Sequence, residues 1–148
     1  MANKSFKGRP ILSGSLESEA VVSKTGFNAY ASFFNSLHEE VASAVCADSG
    51  NKDLFGKRLD GKIICLPYTI GSTSAGAVWQ RVAYLGVAPK AVLFSMPIDS
   101  LAAGGLIIAD LWAGRRIVTI DKLGDEFLRT VREGDWITIQ EDGAVIIK

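Results

Sequence analysis

Short apolar runs recur along the chain at Ile63-Ile64-Cys65-Leu66, Ala91-Val92-Leu93-Phe94 and Ile117-Val118-Thr119-Ile120. Hydrophobicity that is continuous rather than alternating over so few residues predicts strands buried on both faces. After the first run, apolar residues return at Val78, Val82 and Leu85, the spacing of one helical face, and residues 100–112 carry a second helical pattern containing Gly104 and Gly105. Residues 126–133 supply a further helix. Trp136-Ile137-Thr138-Ile139 and Ala144-Val145-Ile146-Ile147 flank Glu141-Asp142-Gly143, the pattern of a hairpin with a glycine in its turn. Strands separated by helices and followed by a hairpin predict a mixed α/β fold.

The first half is less regular. Residues 11–23 alternate in part, with Leu16, Ala20 and Val22 against Glu17, Glu19 and Ser23, which predicts a strand near a sheet edge. Phe27, Tyr30, Phe34 and Leu37 stand at helix-like spacing, as a helix or an irregular layer over the core would place them. His38, the only histidine, sits beside Glu39 and Glu40 and reads as a solvated side chain. Residues 48–62 are crowded with Gly, Asn, Asp and Lys and predict a long connection, without the ligand spacing of a calcium loop. Connections of this length often lie at an interface, so it is a candidate contact surface.

Composition narrows the function. With 148 residues, 48% of them hydrophobic, the chain has the size of one ordinary domain, expected to span residues 1–148 without internal repeats. Sixteen basic residues balance sixteen acidic ones, and no basic block appears, so neither nucleic acid nor an anionic membrane is an expected partner. No signal-peptide pattern opens the chain, and no apolar run approaches the roughly 18 residues of a membrane span. A cytoplasmic location is expected. The two cysteines, Cys46 and Cys65, suggest no disulfide framework and show no metal-binding spacing; Cys65 reads as a core residue, while Cys46 precedes a polar loop, within reach of a shared surface, and reads as structural rather than chemical.

Candidate chemistry concentrates at Gly71-Ser72-Thr73-Ser74, between the strand ending at Leu66 and the helix that carries Val78. Such a turn leaves the first N–H groups of the helix unpaired and aims the positive end of its dipole outward, which suits an anion. Ser, Thr and Gly also favour helix starts simply as caps. Three hydroxyls exceed what one cap needs. There is no phosphate-binding P-loop, no HExxH and no Ser-His-Asp arrangement.

The turn, with Gly61-Lys62-Ile63-Ile64-Cys65-Leu66-Pro67 before it and Gly86-Val87-Ala88-Pro89-Lys90-Ala91-Val92-Leu93-Phe94 after it, resembles the small-subunit, or swivel-domain, part of the aconitase X group. Gly14-Ser15-Leu16-Glu17-Ser18-Glu19-Ala20, Ala102-Ala103-Gly104-Gly105 and the final strand pair extend the resemblance over nearly the whole chain. It implies a swivelling β/β/α fold, with a mixed sheet or barrel-like core and flanking helices. The implied partner is a larger subunit that holds an iron–sulfur cluster, and two distant cysteines in this chain agree with a cluster held mainly elsewhere. The group dehydrates small carboxylates. The resemblance assigns Ser72 as proton acceptor, with Gly71, Thr73 and Ser74 holding the substrate carboxylate.

Two activities occur in the group: dehydration of cis-3-hydroxy-L-proline toward Δ1-pyrroline-2-carboxylate, and, in archaea, dehydration of mevalonate 5-phosphate. A Trp-Gly-Gly motif common in the second branch is replaced here by Phe27-Asn28-Ala29-Tyr30-Ala31-Ser32-Phe33, and this stretch, with Cys46-Ala47-Asp48, looks like the bacterial two-subunit hydroxyproline branch. Hydroxyproline is therefore the expected substrate and mevalonate 5-phosphate the alternative. Outside this class, a non-catalytic module that binds a small anion, or a structural assembly subunit, would use the same turn or the aromatic stretch 27–37.

Overall fold

The computed structural model describes residues 3–71 and 73–148. In chain order the described residues form strands β1 (Lys4–Lys7), β2 (Arg9–Leu12), β3 (Leu16–Val22) and β4 (Phe27–Asn28), then two short helices, α1 (Ala29–Ser32) and α2 (Phe34–His38). After a long connection come β5 (Ile63–Leu66), β6 (Thr69–Ile70), α3 (Ala75–Leu85), β7 (Ala91–Phe94), α4 (Ser100–Trp112) and β8 (Val118–Asp121). Helix α5 (Asp125–Thr130) and the hairpin strands β9 (Trp136–Ile139) and β10 (Ala144–Ile147) follow.

Eight strands make one mixed sheet in the order β1-β10-β9-β3-β5-β7-β8-β2. The run β3-β5-β7-β8 is parallel, and the remaining pairings are antiparallel. Only Gly8 separates β1 from β2, so the two ends of the sheet are consecutive in the chain and the sheet nearly closes on itself. Every position of β5, β7 and β8 is buried, as the unbroken apolar sequences of β5 and β7 require, while β8 buries Thr119 and Asp121 along with Val118 and Ile120. Alternate side chains feed two cores. Ile64, Leu66, Val92 and Phe94 pack with Trp79, Val82 and Leu106 of α3 and α4. Ile63, Cys65, Ala91 and Leu93 join Phe127, Ile137, Ile139 and Val145 on the other face.

The mixed α/β fold is as the periodicity predicts, but β3 is not at an edge. It is central, antiparallel to β9 and parallel to β5. Its charged half pairs with β9, where Glu17 reaches Lys148 at 3.4 Å and Glu19 meets Lys62 at 3.1 Å, and β5 joins only from Ala20 onward. The glutamates mark a face open to solvent rather than an unpaired strand. The aromatic stretch also departs from a single helical face. It breaks between α1 and α2, burying Phe27 and Phe33 against Trp79 while Tyr30 and Phe34 stay exposed. Within the 48–62 connection, Leu54 and Leu59 are fully buried and Asn51 donates to the Ser23 hydroxyl at 3.0 Å, so this segment is a packed layer.

Helices α3 and α4 touch through Gly76 and Gly105. A Cβ on Gly105 would run into the carbonyl and Cα of Gly76, whereas one on the adjacent Gly104 would meet open space. At the end of β8, the Asp121 side chain is fully buried. Its carboxylate accepts from Arg9 Nε and Nη2 at 2.9 and 2.7 Å and from the Ile98 N–H at 2.8 Å, which fixes the loop between β7 and α4. Burial pushes this carboxyl up, but the Arg9 hydrogen bonds, the Ile98 N–H and the Arg9 and Lys122 charges together outweigh it and hold it below the usual carboxylate range.

Two stability outcomes are expected. Gly105→Ala should destabilise by about 1–3 kcal/mol through overpacking, while Gly104→Ala should stabilise by about 0.5–1 kcal/mol through helix propensity; urea unfolding of both variants reads the opposite signs. A depressed folded-state pKa means that Asp121 favours the fold above its unfolded value of about 3.9 and loses that contribution as pH falls through the lower folded value. Asp121→Ala should cost about 1–3 kcal/mol at neutral pH and give a shallower acid limb in unfolding curves recorded from pH 7 downward.

Candidate functional site

The hydroxyl turn lies past the carboxyl end of β5. Parallel strands connected by helices put every helix start on that same edge, where α/β sheets bind their ligands. Three chain segments meet there: β4 after β3, β6 and the turn after β5, and the start of α4 after β7. The small parallel pairing of β4 with β6 sets Phe27 opposite Thr69 and Asn28 opposite Ile70. Aromatic packing makes the arrangement rigid, because Trp79 of α3 stacks on Phe27 (centroids 5.9 Å apart) and meets Phe33 edge-on at 5.7 Å.

Gly71 follows β6 with φ of +112°, a conformation that strains any side chain, and a Cβ there would lie 2.9 Å from the Asn28 side chain. Thr73 and Ser74 are exposed. Ser74 stands at the N-cap of α3 in helical conformation, and its carbonyl accepts the Ala77 N–H at 3.0 Å. The first turn of α3 carries no acidic residue, so no carboxylate within it offsets the positive end of the helix dipole. Gly71, Thr73 and Ser74 are thus brought together at one helix start. Ser72, the expected proton acceptor, lies outside the described residues.

Several residues that shape this edge are missing from the sequence reading. Asp99 is the N-cap of α4, accepting the Ala102 N–H at 2.9 Å, and its other oxygen accepts the Thr69 hydroxyl, so one carboxylate ties the strand before the turn to a second helix. An Asp directly before a helical pattern is a cap signal that would have found it. Asn28 caps α1 by accepting the Ala31 N–H at 3.0 Å. No local pattern announces its approach to Gly71, which depends on the β4–β6 pairing. His38 is exposed within an aromatic patch, its ring 4.4 Å from that of Phe34 and its Nε2 3.2 Å from the Tyr30 hydroxyl. The patch adjoins the connection, since Tyr30, Phe34, Asp48 and Phe55 line one groove. The two segments expected to form contact surfaces therefore share a face.

The cysteines do not suit an iron–sulfur cluster, which needs thiolates converging on one point. Cys46 and Cys65 belong to the two different cores, on opposite faces of the sheet. Burial pushes both thiols up, Cys65 most strongly, and so opposes the thiolate form. Among the described residues no group of three or more His, Cys, Asp or Glu is placed to hold a metal ion. No helix among them is long and apolar enough to cross a membrane.

The chain is 32% identical over 141 residues to the phosphomevalonate dehydratase small subunit of Methanocaldococcus jannaschii, covering 95% of each. It is 27% identical over 119 residues to the cis-3-hydroxy-L-proline dehydratase of Pseudomonas aeruginosa, matching 80% of this chain but 19% of that longer protein. Among solved structures, the crystal structure of Thermococcus kodakaraensis aconitase X (holo-form) superposes with a TM-score of 0.79 at 25% identity, covering 98% of both chains. Residues 5–147 match the aconitase X swivel domain, and the chain belongs to that family.

Proposed function

We propose that this chain is the small subunit of an aconitase X-type dehydratase and supplies the hydroxyl turn of an active site completed by a larger subunit. The observation that carries the reading is the surface around the turn. Tyr68, Ile70, Met96 and Leu101, each from a segment at the carboxyl edge, are 44–48% exposed and leave a polar helix start ringed by apolar side chains. Such a rim suits burial against a protein partner. The iron–sulfur cluster implied by the resemblance belongs, on this reading, to the large subunit.

Cis-3-hydroxy-L-proline is the substrate we favour. Residues 26–36, 66–76 and 95–105, the segments that meet at the turn, contain no Lys or Arg. Hydroxyls and a helix start suffice for a single carboxylate, whereas a phosphate of nearly two charges ordinarily calls on cationic side chains. Mevalonate 5-phosphate is the second reading, supported by the high mutual coverage with the Methanocaldococcus jannaschii small subunit.

In the proposed reaction, Thr73, Ser74 and the Gly71 backbone hold the carboxylate over the start of α3. The Ser72 alkoxide takes the proton from the carbon next to the carboxylate. The electron pair of that C–H bond forms the new double bond, and the bond to the neighbouring hydroxyl breaks, releasing water once the departing hydroxide is protonated. The resulting enamine becomes Δ1-pyrroline-2-carboxylate when a proton moves from nitrogen to the former hydroxyl-bearing carbon. A serine is a poor base, so its alkoxide depends on the adjacent helix dipole and on charge from the partner.

In the reconstituted two-subunit enzyme, Ser72→Ala should lower turnover by about 100-fold or more while subunit assembly is retained; near-normal turnover would remove the proton-acceptor role. Assaying the complex with both substrates side by side decides between them. Ile70→Glu, on the apolar rim, should weaken subunit association by about tenfold or more in a titration of one subunit with the other. Unchanged association, with a small carboxylate bound by this chain alone, would favour a free-standing binding module.

A further inference from the structure

We propose that Asn28 is a substrate-binding residue whose side-chain Nδ2 donates to the carboxylate held over the Gly71–Thr73–Ser74 turn. The inference rests on the dehydratase reading and extends it to a residue outside the hydroxyl motif.

The amide is oriented by the fold. Its Oδ1 accepts the Ala31 N–H that opens α1, at 3.0 Å, so the oxygen is committed to the cap and the two N–H donors of Nδ2 are left for another acceptor. The amide lies flat over the turn: a Cβ built on Gly71 would be 2.9 Å from Asn28 Cγ and Oδ1 and 3.0 Å from Nδ2. The φ of +112° at Gly71 favours a glycine beneath it. Among the described residues, Nδ2 donates no hydrogen bond. Asn28 is half-buried, so a donor that is partly withdrawn from water gains by meeting an acceptor. Its position is also fixed from behind, since Phe27, the preceding residue, packs on Trp79 of the helix that begins at the turn.

These facts place a neutral, two-proton donor beside the helix start and the exposed Thr73 and Ser74. The donor is neutral, so it offers a carboxylate hydrogen bonds without adding a charge.

The double role gives a clean test in the reconstituted two-subunit enzyme. Asp and Ser are both good N-caps, so Asn28→Asp and Asn28→Ser keep α1 started. Asn28→Asp replaces the donor with an anion facing the substrate carboxylate, and should raise KM for cis-3-hydroxy-L-proline by about tenfold or more with a much smaller change in kcat. Asn28→Ser, which keeps a shorter donor, should fall between it and the parent enzyme. In a Ser72→Ala background, which removes turnover, Asn28→Asp should weaken substrate binding in a calorimetric titration by a similar factor. A parent complex that is active, with Asn28→Asp within about twofold of it in KM and binding, would reduce Asn28 to a cap and overturn the proposal. A parent complex inactive toward both cis-3-hydroxy-L-proline and mevalonate 5-phosphate would instead overturn the dehydratase reading, and this role with it.

Discussion

Parallel pairing of β3, β5, β7 and β8 is the constraint from which the site follows. A strand can be followed by a parallel neighbour only if the chain crosses back, and in β5-α3-β7-α4-β8 the crossings are helices. Helix starts then collect at the carboxyl edge together with the loops that precede them. The turn at residues 71–74 owes its place to this rule rather than to its own sequence. Two further ties hold the segments that flank it: the Trp79 ring against Phe27 and Phe33, and the Asp99 carboxylate shared between Thr69 and the start of α4.

Division of the interior into two cores explains how so few residues hold this edge. β5 and β7 bury side chains on both faces, so each is gripped from two sides and has little freedom to tilt. The outward core carries the helices and hence the site. The other core, filled by α5 and the final hairpin, holds the sheet in its nearly closed form. Asp121 connects the two functions. Lying at the end of β8, it binds Arg9 of β2 across the sheet and the loop before α4 with the same carboxylate.

Much of this was legible in the sequence wherever burial was complete on both faces. The runs at 63–66 and 91–94, the helix at 100–112 and the hairpin strands coincide with observed elements because continuous apolar segments leave few alternatives. The first half was harder to read. Glu17 and Glu19 report solvent on one face, and a linear pattern cannot distinguish an open face from an unpaired edge. Phe27, Tyr30, Phe34 and Leu37 share helical spacing, yet the break between α1 and α2 turns Phe33 inward and leaves Tyr30 and Phe34 out. For the candidate site, the hydroxyl turn was visible as local chemistry. Asn28 and Thr69 were not, because each reaches the turn only through pairings between distant segments.

The short step at Gly8 bears on how this fold can be recognised by other proteins. Both free edges of the eight-stranded sheet belong to one stretch of chain, β1 and β2, four residues each, with Pro10 interrupting the row of N–H donors and Lys4, Lys7 and Arg9 adding charge. Short, charged, proline-bearing edges are poor templates for strand addition. Backbone-templated association and runaway sheet growth are thereby disfavoured together. A partner must read side chains, and the carboxyl edge is where the chain displays them.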